Sequence, residues 1–333
     1  MKNLLNSCLV LLAFFCVSDT IIAQQKEHDS NSNVSFVTLG TGGGPIIREQ
    51  RSESANAILV NGQTYLFDTG SGTERQMVKS GIPMESVQAI FLSHHHVDHN
   101  ADLGQLITSR WVFNHTTSLP IIGPPGTVNM VENLTKAFYA TEMAPIGTSN
   151  SVHKPPLADT VNPQDLASNM TEPTEVYRDS NIRVLAITNQ HYHFPQNSAE
   201  AKYSRSYAYR IETPQRSYVY TGDTGPSENV IELAHGADVL VSEVIDLNRM
   251  SRVLRHAKDI PEEALQPMIQ HMQENHLTPE EVGKMAAEAG VGQVVLTHIA
   301  PGLDGETGLS SYTRGVSELF EGPVTLAEDL DRY

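Results

Sequence analysis

The run His94-His-His-Val-Asp-His99 places four potential metal ligands, His94, His96, Asp98 and His99, within six residues. Imidazole nitrogen and carboxylate oxygen at this density suit zinc, which takes nitrogen and oxygen donors and needs no redox partner. The run directly follows Val-Gln-Ala-Ile-Phe-Leu, residues 87–92, an apolar stretch of strand length. Strand side chains alternate between faces, so His94, His96 and Asp98 begin on one side, and a turn at residues 97–98 swings His99 in beside them. His95 has the opposite parity and drops out as a ligand. A solvated His-rich loop is the plain alternative, and the abutting core strand argues against it.

Holding such ligands rigidly requires strands whose ends converge. Apolar runs predict strands at residues 34–40, 57–60, 64–67, 119–122, 182–187, 206–212, 217–221, 239–243 and 294–297. Asn61-Gly62, between the second and third, is a two-residue hairpin signal. Helical patterns cover 74–80, 103–113, 246–275 and 279–289. Meanders followed by strands alternating with helices, in both halves, predict an α/β fold of two mixed β-sheets between outer helical layers. Residues 144–175, rich in Pro, Asn, Ser and Thr, read as an extended surface insertion.

Three more strand ends offer ligands. His191 follows the strand at 182–187, Asp223 lies in Thr221-Gly-Asp-Thr-Gly225, and His298 follows the strand at 294–297. Singly, each reads as well as an ordinary strand-end histidine or turn. Together they supply the ligand number of a two-zinc site with open water positions.

Composition narrows the setting. The 333 residues are 39% hydrophobic, enough for one large domain, expected over 35–333. A charged start, an apolar centre and Ala23 predict an export signal over residues 1–23, too short to span a bilayer, followed by a flexible leader over 24–34. The expectation is an exported chain, periplasmic or secreted, with no membrane partner. Both cysteines, Cys8 and Cys16, lie in the signal, which removes thiolate zinc sites, disulfides and a cysteine nucleophile from the rest. A formal charge of −17 repels phosphate backbones and argues against a nucleic-acid partner, although a local metal site can still take one small anionic ester. Arg249, Arg252, Arg255 and Lys258 recur at near-helical spacing, as a substrate clamp, a homodimer face or a solvated helix face would.

The chain resembles the metallo-β-lactamase superfamily, which shares the pattern His-x-His-x-Asp-His. Within it the chain looks most like the branch of tRNA 3′-processing endonucleases (tRNase Z), arylsulfatases and phosphodiesterases. The likeness covers most of residues 35–328, including Leu39-Gly-Thr-Gly-Gly43, Phe67-Asp-Thr-Gly70, Gly123-Pro-Pro-Gly126, Tyr207-Ala-Tyr-Arg-Ile211, Thr221-Gly-Asp-Thr224 and Leu296-Thr-His-Ile-Ala-Pro301. It implies an αββα sandwich with one pocket at the strand ends. It also implies a first zinc held by His94, His96 and His191, a second by Asp98, His99 and His298, and Asp223 bridging both; manganese or iron would suit the same ligands. His193 competes with His191, which is preferred because it directly follows its strand. Asp68 is expected to orient the histidine loop, since a metal-bound imidazole needs its other N–H fixed. His276 matches a histidine that approaches the scissile phosphate in the tRNase Z branch, where it would stabilise developing charge or protonate the leaving oxygen. Tyr192, His193 and Phe194 either line the pocket or pack their own loop.

The expected reaction is hydrolysis by a metal-bound hydroxide, formed between two zinc ions about 3.5–4 Å apart. Asp98 would orient the hydroxide and His276 would serve the leaving group. Export, charge and the want of a basic Gly-rich arm in 144–175 favour small phosphate diesters or sulfate esters. A tRNase Z-like endoribonuclease, a lactonase or β-lactamase and a non-catalytic metal scaffold are the alternatives.

Overall fold

A computed structural model describes residues 34–145, 154–257 and 260–333. The expected signal and leader, and Lys258, lie outside the described residues. The first sheet runs, in spatial order, β1 (Val34–Gly40), β2 (Ala55–Val60), β3 (Gln63–Thr69), β4 (Val87–Phe91), β5 (Leu119–Gly123) and β6 (Val161–Asp165). The second holds β7 (Thr174–Arg178), β8 (Arg183–Thr188), β9 (Tyr207–Glu212), β10 (Ser217–Tyr220), β11 (Val239–Ile245), β12 (Gln293–Ala300) and β13 (Val324–Leu326), again with chain neighbours paired. Each sheet opens as an antiparallel meander and continues in parallel strands, changing at β3 and at β10. The strands β1, β3, β4 and β5 therefore share one direction, as do β8, β10, β11 and β12. Open α/β sheets bind their ligands beyond such carboxyl ends.

Side-chain alternation sorts the residues into layers. Phe36, Ile58, Phe67, Phe91, Tyr209 and Val241 fill the space between the sheets. Val37, Leu39, Leu66 and Ile90 face outward and are covered by the helices Thr73–Ser80, Leu103–Val112 and Thr127–Ala137. Val219, Leu240 and Leu296 do the same beneath Glu228–Ala234, Pro279–Ala289 and Ser310–Ser317. The rings of Phe67 and Phe91 stack at 4.7 Å, and Tyr209 meets each edge-on at 5.7 Å. Burying each such ring contributes about 1.5–3 kcal/mol, so the end of β4 sits on a stiff base. The β2–β3 turn has both central residues in the left-handed region, Asn61 at φ 51° and Gly62 at φ 78°, as its Asn-Gly signal requires.

Two expectations change. The described part of residues 144–175 is not an insertion: it supplies β6, which extends the first sheet beside β5, and the start of β7, which edges the second. Both are edge strands with largely solvated side chains, and β6 carries Pro163, so neither shows an apolar period. The segment 246–275 divides into Leu247–His256 and Glu262–Asn275, the second beginning after Pro261. Arg249 is spent on Asp246, Glu306 and the carbonyls of Thr307 and Gly308, while Arg252 and Arg255 are exposed. That favours a solvated helix face over a clamp.

Candidate metal centre

Beyond β4 the chain stays extended to His96, which is the N-cap of the short helix Val97–Asn100. The extended stretch presents His94 and His96, and the helical turn brings Asp98 and His99 to the same side. His191 follows β8, and Asp223 follows β10 after Gly222 at φ 57°. His298 lies within β12 rather than past its end. Thr297 pairs with Glu243 and Ile299 with Val244, leaving His298 as the extra residue of a bulge at φ 42°. A bulge re-aims one side chain without ending the strand, and a non-glycine residue in this region costs about 1–3 kcal/mol.

Donor atoms of His94, His96, His191 and Asp223 lie within 4.8 Å of one another, and so do those of Asp98, His99 and His298. Asp223 stands between the groups. Its Oδ2 is 3.8 Å from His94 Nε2 and 3.2 Å from His298 Nε2, and its Oδ1 is 3.3 Å from His99 Nε2. Asp98 Oδ2 is 3.5 Å from His99 Nε2 and 3.4 Å from His298 Nε2. Asp223, His276 and His298 form a third, overlapping group. His193 is exposed and bonded through Nδ1 to Asn275 Oδ1, outside these groups. His95 turns toward Thr127, with Nε2 3.4 Å from its hydroxyl.

The arrangement fits a divalent metal on its own evidence. His94 Nε2, His99 Nε2 and Asp223 Oδ1 are buried without a hydrogen-bond partner. Each such orphan costs about 1–3 kcal/mol unless something else satisfies it. The outer ring nitrogens are engaged. His99 Nδ1 donates to Asp68 Oδ2 at 2.8 Å, His191 Nδ1 to the Asn275 carbonyl at 3.0 Å, and His94 Nδ1 to Ser93 Oγ at 3.0 Å. Those bonds leave the Nε2 lone pairs facing inward. Burial holds His94 and His191 well below the ordinary histidine pKa, which keeps them neutral, as ligands must be.

Asp68 is the hub of this support, accepting from the Ser93 N–H, the Ser93 hydroxyl and the Tyr220 hydroxyl, each at 2.7 Å, besides His99. His276 sits beside the cluster, its ring 5.2 Å from that of His191. Its Nδ1 donates to Glu243 Oε2 at 2.7 Å, and Glu243 Oε1 accepts from Thr224 N. Burial opposes the imidazolium, but the carboxylates of Glu243, Asp223 and Asp98 together outweigh it and raise the His276 pKa to about 9. Glu243, Ser93, Tyr220 and Asn275 had been given no role from the sequence. Glu243 has one legible signal, an acid that follows Ser242 in the mostly apolar run of residues 239–245.

The beta-lactamase superfamily domain profile matches residues 63–299. Ribonuclease Z from Mycolicibacterium gilvum (strain PYR-GCK) is 31% identical over 304 residues, covering 90% of this chain and 95% of that protein. Ribonuclease Z from Mycobacterium sp. (strain KMS) is 32% identical over 305 residues with the same coverage. The chain belongs to the metallo-β-lactamase superfamily, in its tRNase Z and phosphodiesterase branch. Human tRNase Z, short form, shares this superfamily fold at TM-score 0.60 and 19% identity, over 90% of this chain and 98% of that one. Unliganded yeast PDE1 does so at 0.57 and 12%, over 89% and 98%. The protein is thus a metallo-hydrolase of the metallo-β-lactamase fold, and its His/Asp clusters suit a divalent metal.

One glycine of this metallo-β-lactamase site is under direct constraint. Gly44 N donates to Asp98 Oδ2 at 3.1 Å, and a Cβ at Gly44 would overlap the Asp98 carboxylate. Gly44→Ala should therefore lower turnover about 10–100-fold with unchanged circular dichroism. Wild-type turnover in that variant would mean that Gly44 does not hold Asp98.

Proposed function

We propose that this protein is a phosphodiesterase that cleaves RNA, using a pair of divalent metals, zinc by preference. The observation that carries the reading is the His276–Glu243 pair beside the His/Asp clusters: an imidazole oriented through Nδ1 by a buried carboxylate next to a metal centre suits the leaving oxygen of a phosphodiester. The name of the relatives, ribonuclease Z, supports RNA over the small ester that charge and the expected signal favoured. His94, His96 and His191 would hold one metal and Asp98, His99 and His298 the other, with Asp223 available to both. Such a pair, when bound, would acidify a water and neutralise charge on the phosphoryl oxygens. Asp68, Ser93 and the Asn275 carbonyl fix the imidazoles, the Gly44 N–H fixes Asp98, and His276 donates its Nε2 proton to the departing oxygen while Glu243 holds Nδ1.

One observation favours a second reading, an exported hydrolase of small phosphate diesters or sulfate esters: the formal charge of −17 opposes a polyanionic partner. Incubating the metal-loaded protein with a 3′-extended precursor tRNA, bis-p-nitrophenyl phosphate and p-nitrophenyl sulfate separates the two. Endonucleolytic cleavage of the precursor supports the first. Intact RNA with either chromogenic ester cleaved moves the assignment to the second. A metal-loaded protein inert to all three overturns both and leaves the lactonase or β-lactamase and scaffold alternatives.

A further inference from the structure

Beside the metal centre lies a cavity of about 430 Å³ that the chemistry above does not use. Its volume falls in the range that holds a small organic ligand. The loop after β8 serves both places. His191 turns into the cluster, while the next side chain, Tyr192, lines the cavity with its ring 4.9 Å from the His191 ring and 5.5 Å from the His96 ring. The Tyr192 ring therefore borders both the cavity and the cluster. Phe194 stacks on Tyr192 at 5.1 Å and 20°, and remains 36% exposed. Asn189, in the cavity wall, donates to the carbonyls of Thr221 and Asp223, at 2.8 and 3.0 Å, which ties the cavity to the strand end carrying Asp223.

The polar side of the cavity is built around Arg205. Its Nε donates to Ser168 O at 2.7 Å, and its Nη1 to Ala201 O and Ser204 O at 2.8 and 2.7 Å. Three carbonyls hold the guanidinium in place, yet it makes no ion pair among the described residues, in a chain of net charge −17. Asn169 adds an exposed amide to the same wall. A stacking ring, a fixed guanidinium and an amide together recognise a flat heterocycle with acceptor and donor groups on its edge.

From these residues we infer that the cavity is a nucleoside subsite. It takes the base of a nucleotide adjoining the scissile phosphate, stacked on Phe194 with its edge toward Arg205 and Asn169. The inference rests on the phosphodiesterase reading for the neighbouring site. Two measurements on the metal-loaded full chain test it: KM for the p-nitrophenyl ester of uridine monophosphate against methyl p-nitrophenyl phosphate, and calorimetric binding of uridine monophosphate. The nucleotidyl ester should have a KM about tenfold below that of the methyl ester. Phe194→Ala should abolish that ratio and weaken uridine monophosphate about tenfold, and Phe194→Trp should restore both. If both esters are cleaved and the KM ratio survives Phe194→Ala and Arg205→Gln, the subsite is wrong and the phosphodiesterase reading stands. If neither ester is cleaved but the nucleotide binds wild type and not Phe194→Ala, the subsite stands and the phosphodiesterase reading falls. No cleavage and no binding overturn both.

Discussion

Asp223→Ala should empty the centre. Its two carboxylate oxygens approach His94, His99 and His298 at 3.8, 3.3 and 3.2 Å, so no other residue faces both ligand groups as directly. Losing it removes a negative charge from a buried set of imidazoles and takes an oxygen donor from each group. Residues that merely orient ligands are worth about 10–100-fold in metal affinity, so a shared ligand should exceed about 100-fold. Metal content after dialysis, measured by elemental analysis, should fall below one ion per chain, with hydrolysis lost in parallel. Asp223→Asn should resemble alanine, because the amide keeps an oxygen but loses the charge. Full metal occupancy in Asp223→Ala would remove Asp223 from the ligand set.

His276→Ala should show the opposite split, with metal retained and turnover reduced about 10²–10⁴-fold. The third His/Asp grouping, which includes His276 with Asp223 and His298, makes metal content the deciding measurement. If the variant loses an ion, His276 is a ligand rather than a proton donor. A structural confounder is built into the site. Removing His276 strands Glu243, which is fully buried, and breaking a buried pair costs about 3–5 kcal/mol. The double variant His276→Ala/Glu243→Gln lifts that penalty by neutralising the acid. Thermal stability should recover in the double variant while turnover stays low. Recovery of both would assign the pair a purely structural role.

Much of this site is readable in the chain because its information is local. Four ligand candidates fall within six residues, and the parity of an extended strand separates His95 from its neighbours without any tertiary knowledge. The strand ends before His191 and Asp223 are legible for the same reason, since apolar runs stop where the site begins, whereas His298 sits at a bulge inside β12, which continues through Ala300. The stretch later seen as β6 and β7 was not legible. An edge strand with solvated faces has no period to detect, and its pairing partner lies in another segment.

By itself, then, the sequence determined the candidate ligands and the α/β layering, which follow from residue type and short-range spacing, while its longer motifs carried the resemblance that implies the metal assignment and the hydrolytic class. Only the tertiary structure decided what holds and tunes those ligands. Gly44 reaches Asp98 across 54 residues, Glu243 reaches His276 across 33, and the Asn275 carbonyl reaches His191 across 84. The bulge that turns His298 inward, and the cavity shared by Tyr192, Phe194 and Arg205, likewise depend on how β11 meets β12 and on how distant loops pack. Orientation is a matter of angles and of hydrogen bonds a few ångströms long, and these exist only once remote segments have come together.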